Sequence, residues 1–212
     1  MNVIFDIGAN RGRTAEIFLK RANKVISFEP NPDLVRYLRQ RFPDPSPNPK
    51  LHIDNRAISH GRGTQEFKLA QVDTLSTLSM DWAENSRFAS QYRRDDSIMV
   101  ETLTLSDAIT EYGTPDYIKI DTEGYEFEIL TNFHQLLPNT LITFEWSEEQ
   151  KEKIAKILEH VNSLGYNNFA YTEDDPVLFE DQINWYSFDN FKLIDTMDSN
   201  RKDLWGMIYF KK

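Results

Sequence analysis

Val3-Ile4-Phe5-Asp6-Ile7-Gly8-Ala9-Asn10-Arg11-Gly12 begins with a short β-rich apolar run and ends in an acid and a glycine turn. From Gly12 to Lys20 the apolar residues Ala15, Phe18 and Leu19 fall at helical spacing, and Lys24 to Phe28 is again β-rich and apolar. Branched and aromatic residues suit a pleated strand, so the change of period from two to 3.6 and back reads as strand, helix, strand.

The alternation continues along the chain. Pro32 with the stripe Leu34, Val35 and Leu38 predicts a helix, and Pro43, Pro45, Pro47 and Pro49 predict a stiff exposed loop. Leu51 to Ile58 reads as a third strand, and Gly61-Arg62-Gly63 turns the chain into another at Thr64 to Leu69. Residues 71–96 form an irregular insert near the acceptor site, with a short helix expected around Trp82 to Gln91. Ile98, Val100 and Leu103 alternate as in a strand, Leu105 to Tyr112 is helical, and Tyr117 to Ile120 is a buried strand.

A helix is expected over Gly124 to Leu137, a strand over Leu141 to Phe144, and a helix over Glu148 to Leu164 with Gly165 just past its end. Asn168 to Tyr171 and Leu204 to Phe210 suit a closing antiparallel pair, separated by the aromatic-rich segment from Val177 to Ile194. Strands alternating with helices specify an α/β fold with a doubly wound, mostly parallel, Rossmann-like sheet, closed here by an antiparallel strand.

Composition narrows the function. The 212 residues predict one domain over 1–212, and no apolar run approaches the ~20 residues that cross a bilayer, so a soluble protein is expected. No basic segment precedes the first apolar run, which argues against a signal peptide. The absence of cysteine excludes disulfides, thiolate zinc sites and iron–sulfur clusters, and a cytoplasmic setting fits it. A net charge of −10 repels phosphate backbones, so neither nucleic acid nor a membrane is an expected partner.

In a doubly wound sheet, ligands sit beyond the carboxyl ends of the strands, where strand order reverses. Gly8 lets the backbone turn closely against a ligand, and a helix N-terminus follows it. Glu29 ends the second strand at the spacing from which an acid reaches ribose hydroxyls in nucleotide-binding folds. Alone, each feature is also what a plain turn or a solvated strand end supplies; their spacing together points to a nucleotide-type ligand. A dinucleotide would favour G-x-G-x-x-G, whereas Asn10 stands in place of the second glycine. Asp6 would repel a pyrophosphate but suits the ammonium group of S-adenosylmethionine, directly or through water.

Asp6-Ile7-Gly8-Ala9-Asn10, Phe28-Glu29-Pro30-Asn31, Asn55-Arg56-Ala57-Ile58-Ser59 and Ile118-Lys119-Ile120-Asp121-Thr122-Glu123-Gly124-Tyr125-Glu126 occur in that order, and together they resemble the FkbM-type methyltransferases. The resemblance spans roughly Val3 to Glu145, is most specific in the block from Lys119 to Glu126, and does not cover the tail beyond Leu164. It implies a class I methyltransferase fold, S-adenosylmethionine as donor, an oxygen acceptor and a sugar or glycan substrate. Carried over, Asp6, Gly8 and Asn10 would line the methionyl end, Glu29 the ribose, and Asn55 and Ala57 the adenine.

Asp121 and Glu145 end the fourth and fifth strands of the main sheet and should project into one crevice, with Lys119 and Glu123 nearby. A sugar hydroxyl is a poor nucleophile near neutral pH, so methyl transfer needs a general base or a metal. One carboxylate would take the proton, its pKa raised by burial and by the other's charge, or both would hold Mg²⁺. The base reading is slightly preferred; alternatively Lys119 merely pairs with Asp121 and Glu123 caps the next helix. Of the histidines, His52, His134 and His160 lie away from the strand carboxyl ends, and only His60 could approach the crevice.

Trp146, Trp82 and Tyr92 could stack on a sugar, although packing explains such aromatics as readily. Arg87, Arg93 and Arg94, beside Asp95 and Asp96, read as a solvated charge cluster rather than as an anion site. Two other functions stay open: a catalytically idle S-adenosylmethionine-binding module, and a nicotinamide-dependent oxidoreductase. Because the chain starts at its first strand, it is also expected to be part of a longer protein, with a glycan-processing domain as a plausible fusion partner; its oligomeric state is left open.

Overall fold

Five parallel strands form the middle and one flank of the main sheet in the computed structural model, which describes residues 1–44, 46, 49–92, 96–197 and 204–212. They are β1 (Val3–Ile7), β2 (Lys24–Phe28), β3 (Leu51–Asp54), β7 (Tyr117–Ile120) and β8 (Leu141–Ser147). The other flank holds β9 (Asn168–Glu173), β10 (Tyr186–Ser187) and β11 (Trp205–Lys211), giving the order β10-β9-β11-β8-β7-β1-β2-β3. β11 runs antiparallel to both β8 and β9, which is the expected closing arrangement. Strand order reverses between β1 and β7, so the ligand crevice of such a fold opens there.

Alternation of side chains sorts the two faces. Phe5, Ile7, Ile26, Phe28, Ile118, Ile120, Ile142 and Phe144 meet α4 (Leu105–Tyr112), α5 (Glu126–Thr131) and α6 (Lys151–Ser163) in the larger core. Ile4, Val25, Tyr117 and Leu141 point the other way, against α1 (Arg13–Phe18) and Phe179. That second face also carries a polar row, because Asp6 pairs in register with Ser27 on one side and Lys119 on the other. α2 (Pro32–Arg41) starts where proline costs no hydrogen bond, and the Asn31 side chain caps it by accepting from Asp33 N–H at 3.0 Å.

The expected third strand over Leu51 to Ile58 is two strands. Arg56 N–H donates to the Asp54 carboxylate at 2.9 Å, turning the chain out of the main sheet, and Arg56 closes on the same carboxylate with its guanidinium. β4 (Ala57–Ile58) then joins β5 (Gly63–Leu69) and β6 (Asp96–Leu103) in a second, three-stranded sheet of order β4-β6-β5.

The helix expected around Trp82 to Gln91 is shorter and earlier. α3 (Met80–Asn85) starts at Ser79, whose hydroxyl accepts from Trp82 N–H at 3.1 Å. The helix expected to reach Leu137 stops at Thr131, because the buried Tyr166 hydroxyl accepts from Leu137 N–H at 2.9 Å and donates to the Gln135 carbonyl at 3.1 Å, a tertiary alternative to helical bonding. The tail adds α7 (Leu193–Thr196), and among the described residues no helix is long and apolar enough to cross a membrane. The expectations for Pro45, Pro47, Arg93, Arg94 and Asp95 lie outside the described residues.

Candidate active site

A cavity of about 360 Å³ lies at the carboxyl ends of β1, β2, β7 and β8, within the size range of small-molecule sites. The segment from Asp73 to Leu78 passes over it, tied to β5 by the paired backbone of Lys68 and Thr77 and to the glycine turn by an Arg11–Asp73 ion pair at 2.6 Å.

At one end the backbone sets the geometry. Gly8 and Ala9 N–H both donate to the Phe28 carbonyl at 3.1 Å, and Gly8 sits at φ 80°. A Cβ on Gly8 would stand 1.8 Å from the Asp121 carbonyl oxygen, so only glycine lets the β1 turn lie against the β7 end. Glu29 is 4% exposed and accepts from Asn10 N–H at 2.8 Å and Asn31 N–H at 2.9 Å. Burial nonetheless raises its pKa to about 7 against those two bonds. Gly8, Asn10, Phe28, Glu29, Pro30 and Ala57 all line the cavity.

Two of the expected donor residues sit elsewhere. Asp6 is fully buried beneath the glycine turn and is not in the wall; Ser27 Oγ lies 3.5 Å from its Oδ2, while its Oδ1 is buried without a hydrogen-bond partner. Burial lifts its pKa to about 6, with Lys119 opposing. Asn55 is exposed at the turn between β3 and β4, outside the wall, and Ala57 reaches the wall from the second sheet.

Carboxylates dominate the centre of the cavity. Ile120 pairs with Phe144, so Asp121 and Glu145 stand level on neighbouring strands, and both face the cavity. β8 runs on to Ser147, which places Glu145 inside the strand opposite Met207 rather than at its end. Glu123 joins them from the β7–α5 turn: the carboxylate oxygens of Asp121, Glu123 and Glu145 can all lie within 4.8 Å of one another. Glu123 is held at φ 55°, a conformation that is strained for a side-chain-bearing residue and typical of functional turns.

Burial, then the charge of Asp121, drives the pKa values of both Glu123 and Glu145 well above the usual carboxylate range. Lys119 Nζ is 2.8 Å from Asp121 Oδ2; burial opposes its charge, but Asp121 and Asp6 outweigh it and hold its pKa at about 12. Lys119 does pair with Asp121, while Glu123 does not cap α5. Tyr125 stands at the N-cap of α5 without a side-chain cap bond, and the buried Glu126, the first residue of the helix, accepts from Thr122 N–H at 2.6 Å and Thr122 Oγ1 at 2.9 Å ahead of it.

The other end combines distant segments. Leu75, Leu78, Phe88 and Arg87 come from the insert, Phe67 from β5, Tyr125 from the β7–α5 turn, and Trp205 from the start of β11. The insert is seated on Gly124, whose missing side chain admits Trp82: a Cβ there would be 2.7 Å from the indole. Of the aromatics singled out from sequence, Trp82 is buried, Trp146 points into the core on the opposite face with its indole N–H donating to the Thr172 carbonyl at 3.1 Å, and Tyr92 is not in the wall. Arg87 is not part of a solvated cluster; it lines the cavity and pairs with Glu149 at 3.5 Å.

Nor does any histidine line the cavity among the described residues. His60 comes nearest, its Nδ1 lying 2.7 Å from the hydroxyl of the wall residue Tyr125. His52 contacts the Tyr112 hydroxyl at 3.2 Å, and His134 and His160 pack ring against ring at 5.2 Å.

A family model described as the methyltransferase FkbM domain matches residues 6–167. The 2-O-methyltransferase NoeI of Sinorhizobium fredii is 29% identical over 159 residues, 70% of this chain and 64% of that protein. The hexuronic acid methyltransferase AglP of Haloferax volcanii is 27% identical over 132 residues, 61% of this chain and 48% of its own length. The chain thus spans between about half and two thirds of these relatives. Among solved structures, a methyltransferase FkbM from Methylobacillus flagellatus superposes with a TM-score of 0.54 at 12% identity, over 99% of this chain and 43% of that one, which supports the fold.

Proposed function

Because the chain belongs to the FkbM methyltransferase domain family, we propose that it moves the methyl group of S-adenosylmethionine onto a hydroxyl of a sugar or glycan. The observation that carries this reading is the level placement of Asp121 and Glu145 against the Gly8 turn, in a cavity that also contains Glu29. The 2-O-methyltransferase and the hexuronic acid methyltransferase among its relatives support an oxygen acceptor on a sugar.

The residues suit this donor. Gly8 and Asn10 present backbone to the methionyl end, Glu29 has lone pairs left for ribose hydroxyls, and Phe28, Pro30 and Ala57 offer an apolar bed for adenine. Asp6, with its unpartnered Oδ1 under the turn, would act on the ammonium group at one remove rather than by direct contact. Asn55, exposed and outside the wall, is left without an adenine role. Bound S-adenosylmethionine supplies a methyl group on a cationic sulfur, open to in-line attack.

For the acceptor, Glu145 takes the hydroxyl proton onto a carboxylate oxygen while Asp121, held by Lys119, orients the hydroxyl. Burial and the neighbouring charge of Asp121 raise the pKa of Glu145, and a positive charge placed nearby lowers it, so a cationic donor favours the base form.

A second reading is favoured by the third carboxylate. Asp121, Glu123 and Glu145 form an oxygen-only cluster suited to a hard cation such as Mg²⁺, which would acidify the hydroxyl. Transfer of labelled methyl from S-adenosylmethionine to a panel of simple glycosides, with and without chelator, separates the two. Loss of transfer in Asp121→Asn and Glu145→Gln with donor binding intact supports catalysis at this cluster, and sensitivity to chelator selects the metal. Wild-type transfer rates in both variants would contradict it, and donor binding without transfer to any acceptor would favour the idle module.

A further inference from the structure

The cavity wall carries six carboxylates, Glu29, Asp73, Asp121, Glu123, Glu145 and Asp175, against a single cationic side chain among the described residues, Arg87. That cation is already engaged. Its guanidinium lies 3.5 Å from Glu149 Oε1 and 4.8 Å from the centre of the Phe88 ring, and its backbone N–H donates to Glu149 Oε2 at 3.0 Å. Glu149, on the segment leading into α6, stands outside the wall with its side chain 9% exposed.

The remaining charges divide by position. Asp73 and Asp175 are drawn to the rim by Arg11 at 2.6 Å and Arg13 at 2.9 Å, and Asp121 is drawn down by Lys119 at 2.8 Å. Glu123 and Glu145 face inward with other carboxylates as close neighbours, a repulsion that Arg87 on the first and Lys119 on the second offset only in part. Beside them, Trp205 pairs in register with Ser147 while Met207 pairs with Glu145, so Trp205 is a diagonal neighbour of Glu145 on the same face of the sheet. Phe88 adds a second aromatic side chain to this end of the wall.

Aromatic rings flanking carboxylates match a sugar whose C–H face stacks and whose hydroxyl or ammonium groups donate hydrogen bonds. A further negative charge would meet Asp121, Glu123 and Glu145, which already repel one another, and a cation that faces Glu149 at 3.5 Å. Resting on the reading of the chain as a sugar methyltransferase, we infer that its acceptor ring is neutral or amino-substituted, with Trp205 and Phe88 as its platform, and that the Arg87–Glu149 pair occupies the one cationic side chain that the described residues place in the wall.

The test uses three matched pools of 4-nitrophenyl glycosides with gluco, galacto and manno rings: the hexosides, the 2-amino hexosides and the hexuronides. Each pool is incubated with the full chain and methyl-labelled S-adenosylmethionine, and donor binding is measured separately by calorimetry. The hexoside or amino pool should exceed the uronide pool in kcat/KM by more than about tenfold, because juxtaposed like charges discriminate at least that strongly. Glu149→Gln should narrow that ratio by raising uronide turnover, and Trp205→Ala should raise KM for the neutral pool about tenfold while leaving donor affinity unchanged. Uronide turnover equal to or above the neutral pools would overturn the inference and leave methyl transfer standing. Donor binding with no transfer to any pool would overturn the sugar reading and this inference with it.

Discussion

The two ends of the cavity are built by different means. From Gly8 to Glu29, a single strand–helix–strand unit supplies the wall mainly through backbone: a glycine pressed against the Asp121 carbonyl and a carboxylate held by two main-chain N–H groups. From Phe67 to Trp205, four separate segments contribute side chains that meet only when the insert, the second sheet and the closing strand are in place. A site with one half built from backbone and the other from side chains can exchange acceptors by substitution without disturbing its donor end. Damage at the first end should therefore cost folding and donor binding, and damage at the second should cost turnover and acceptor affinity.

The largest effect is expected at Gly8→Ala. The new Cβ would overlap the Asp121 carbonyl in a backbone conformation that alanine disfavours, so a loss of about 3 kcal/mol or more in denaturant unfolding and no calorimetric donor binding are expected. A stable, donor-binding Gly8→Ala chain would break the contrast at its root.

At the seam between the two ends, Asp121→Asn should bind donor normally and lose roughly 10²-fold in kcat as the hydroxyl loses its orientation, checked by single-turnover methyl transfer. A parallel loss of donor affinity would assign Asp121 to the wrong half.

Glu29 gives the donor end a pH signature. Its folded pKa of about 7 lies above the ordinary 4.5, so between those values the folded chain holds a proton that the unfolded chain has released. Unfolding free energy should therefore fall as pH rises through that window, by on the order of 3 kcal/mol from this group. Glu29→Gln should remove that component, as chemical melts at pH 4.5 and 7.5 would show; an unchanged slope would move its origin to other acids.

Ser79→Ala is the mildest variant. Removing the cap of α3 should cost about 1 kcal/mol and raise acceptor KM while sparing donor affinity, since α3 carries Trp82 onto Gly124 and leads into Phe88. Equal effects on both ligands would show the ends to be coupled.

What the sequence reveals follows the same division. The positions of Gly8, Glu29 and Asp121 are readable because each sits where a short apolar period stops, and strand ends are local events; Glu145 reads as a strand end too, but β8 runs past it to Ser147. Trp205 is not readable in this way. Its place depends on β8 continuing to Ser147 against β11, the same continuation that turns Trp146 to the opposite face. Phe88, Leu75 and Leu78 belong to an insert without periodicity, and the left-handed turn that aims Glu123 inward has no signature beyond the glycine after it. The donor-lining roles of Asn55 and Asp6 come from the family resemblance, and for Asp6 also from its charge, neither of which records where a side chain points. The turn made by Asp54 leaves Asn55 exposed, and alternation along β1 buries Asp6. The early stop of α5 reflects a tyrosine far along the chain, which no local pattern records.

The end built from backbone is the one proposed to receive S-adenosylmethionine, through Glu29. Calorimetric titration of the chain and of Glu29→Ala with S-adenosylmethionine, S-adenosylhomocysteine and NAD⁺ tests it most directly. The expected result is binding of the two sulfur ligands, weakened by about tenfold or more in the variant as charge-assisted hydrogen bonds to ribose are lost, and none of NAD⁺. Absence of binding by either sulfur ligand, or a preference for NAD⁺, would contradict the account and return the chain to the oxidoreductase reading.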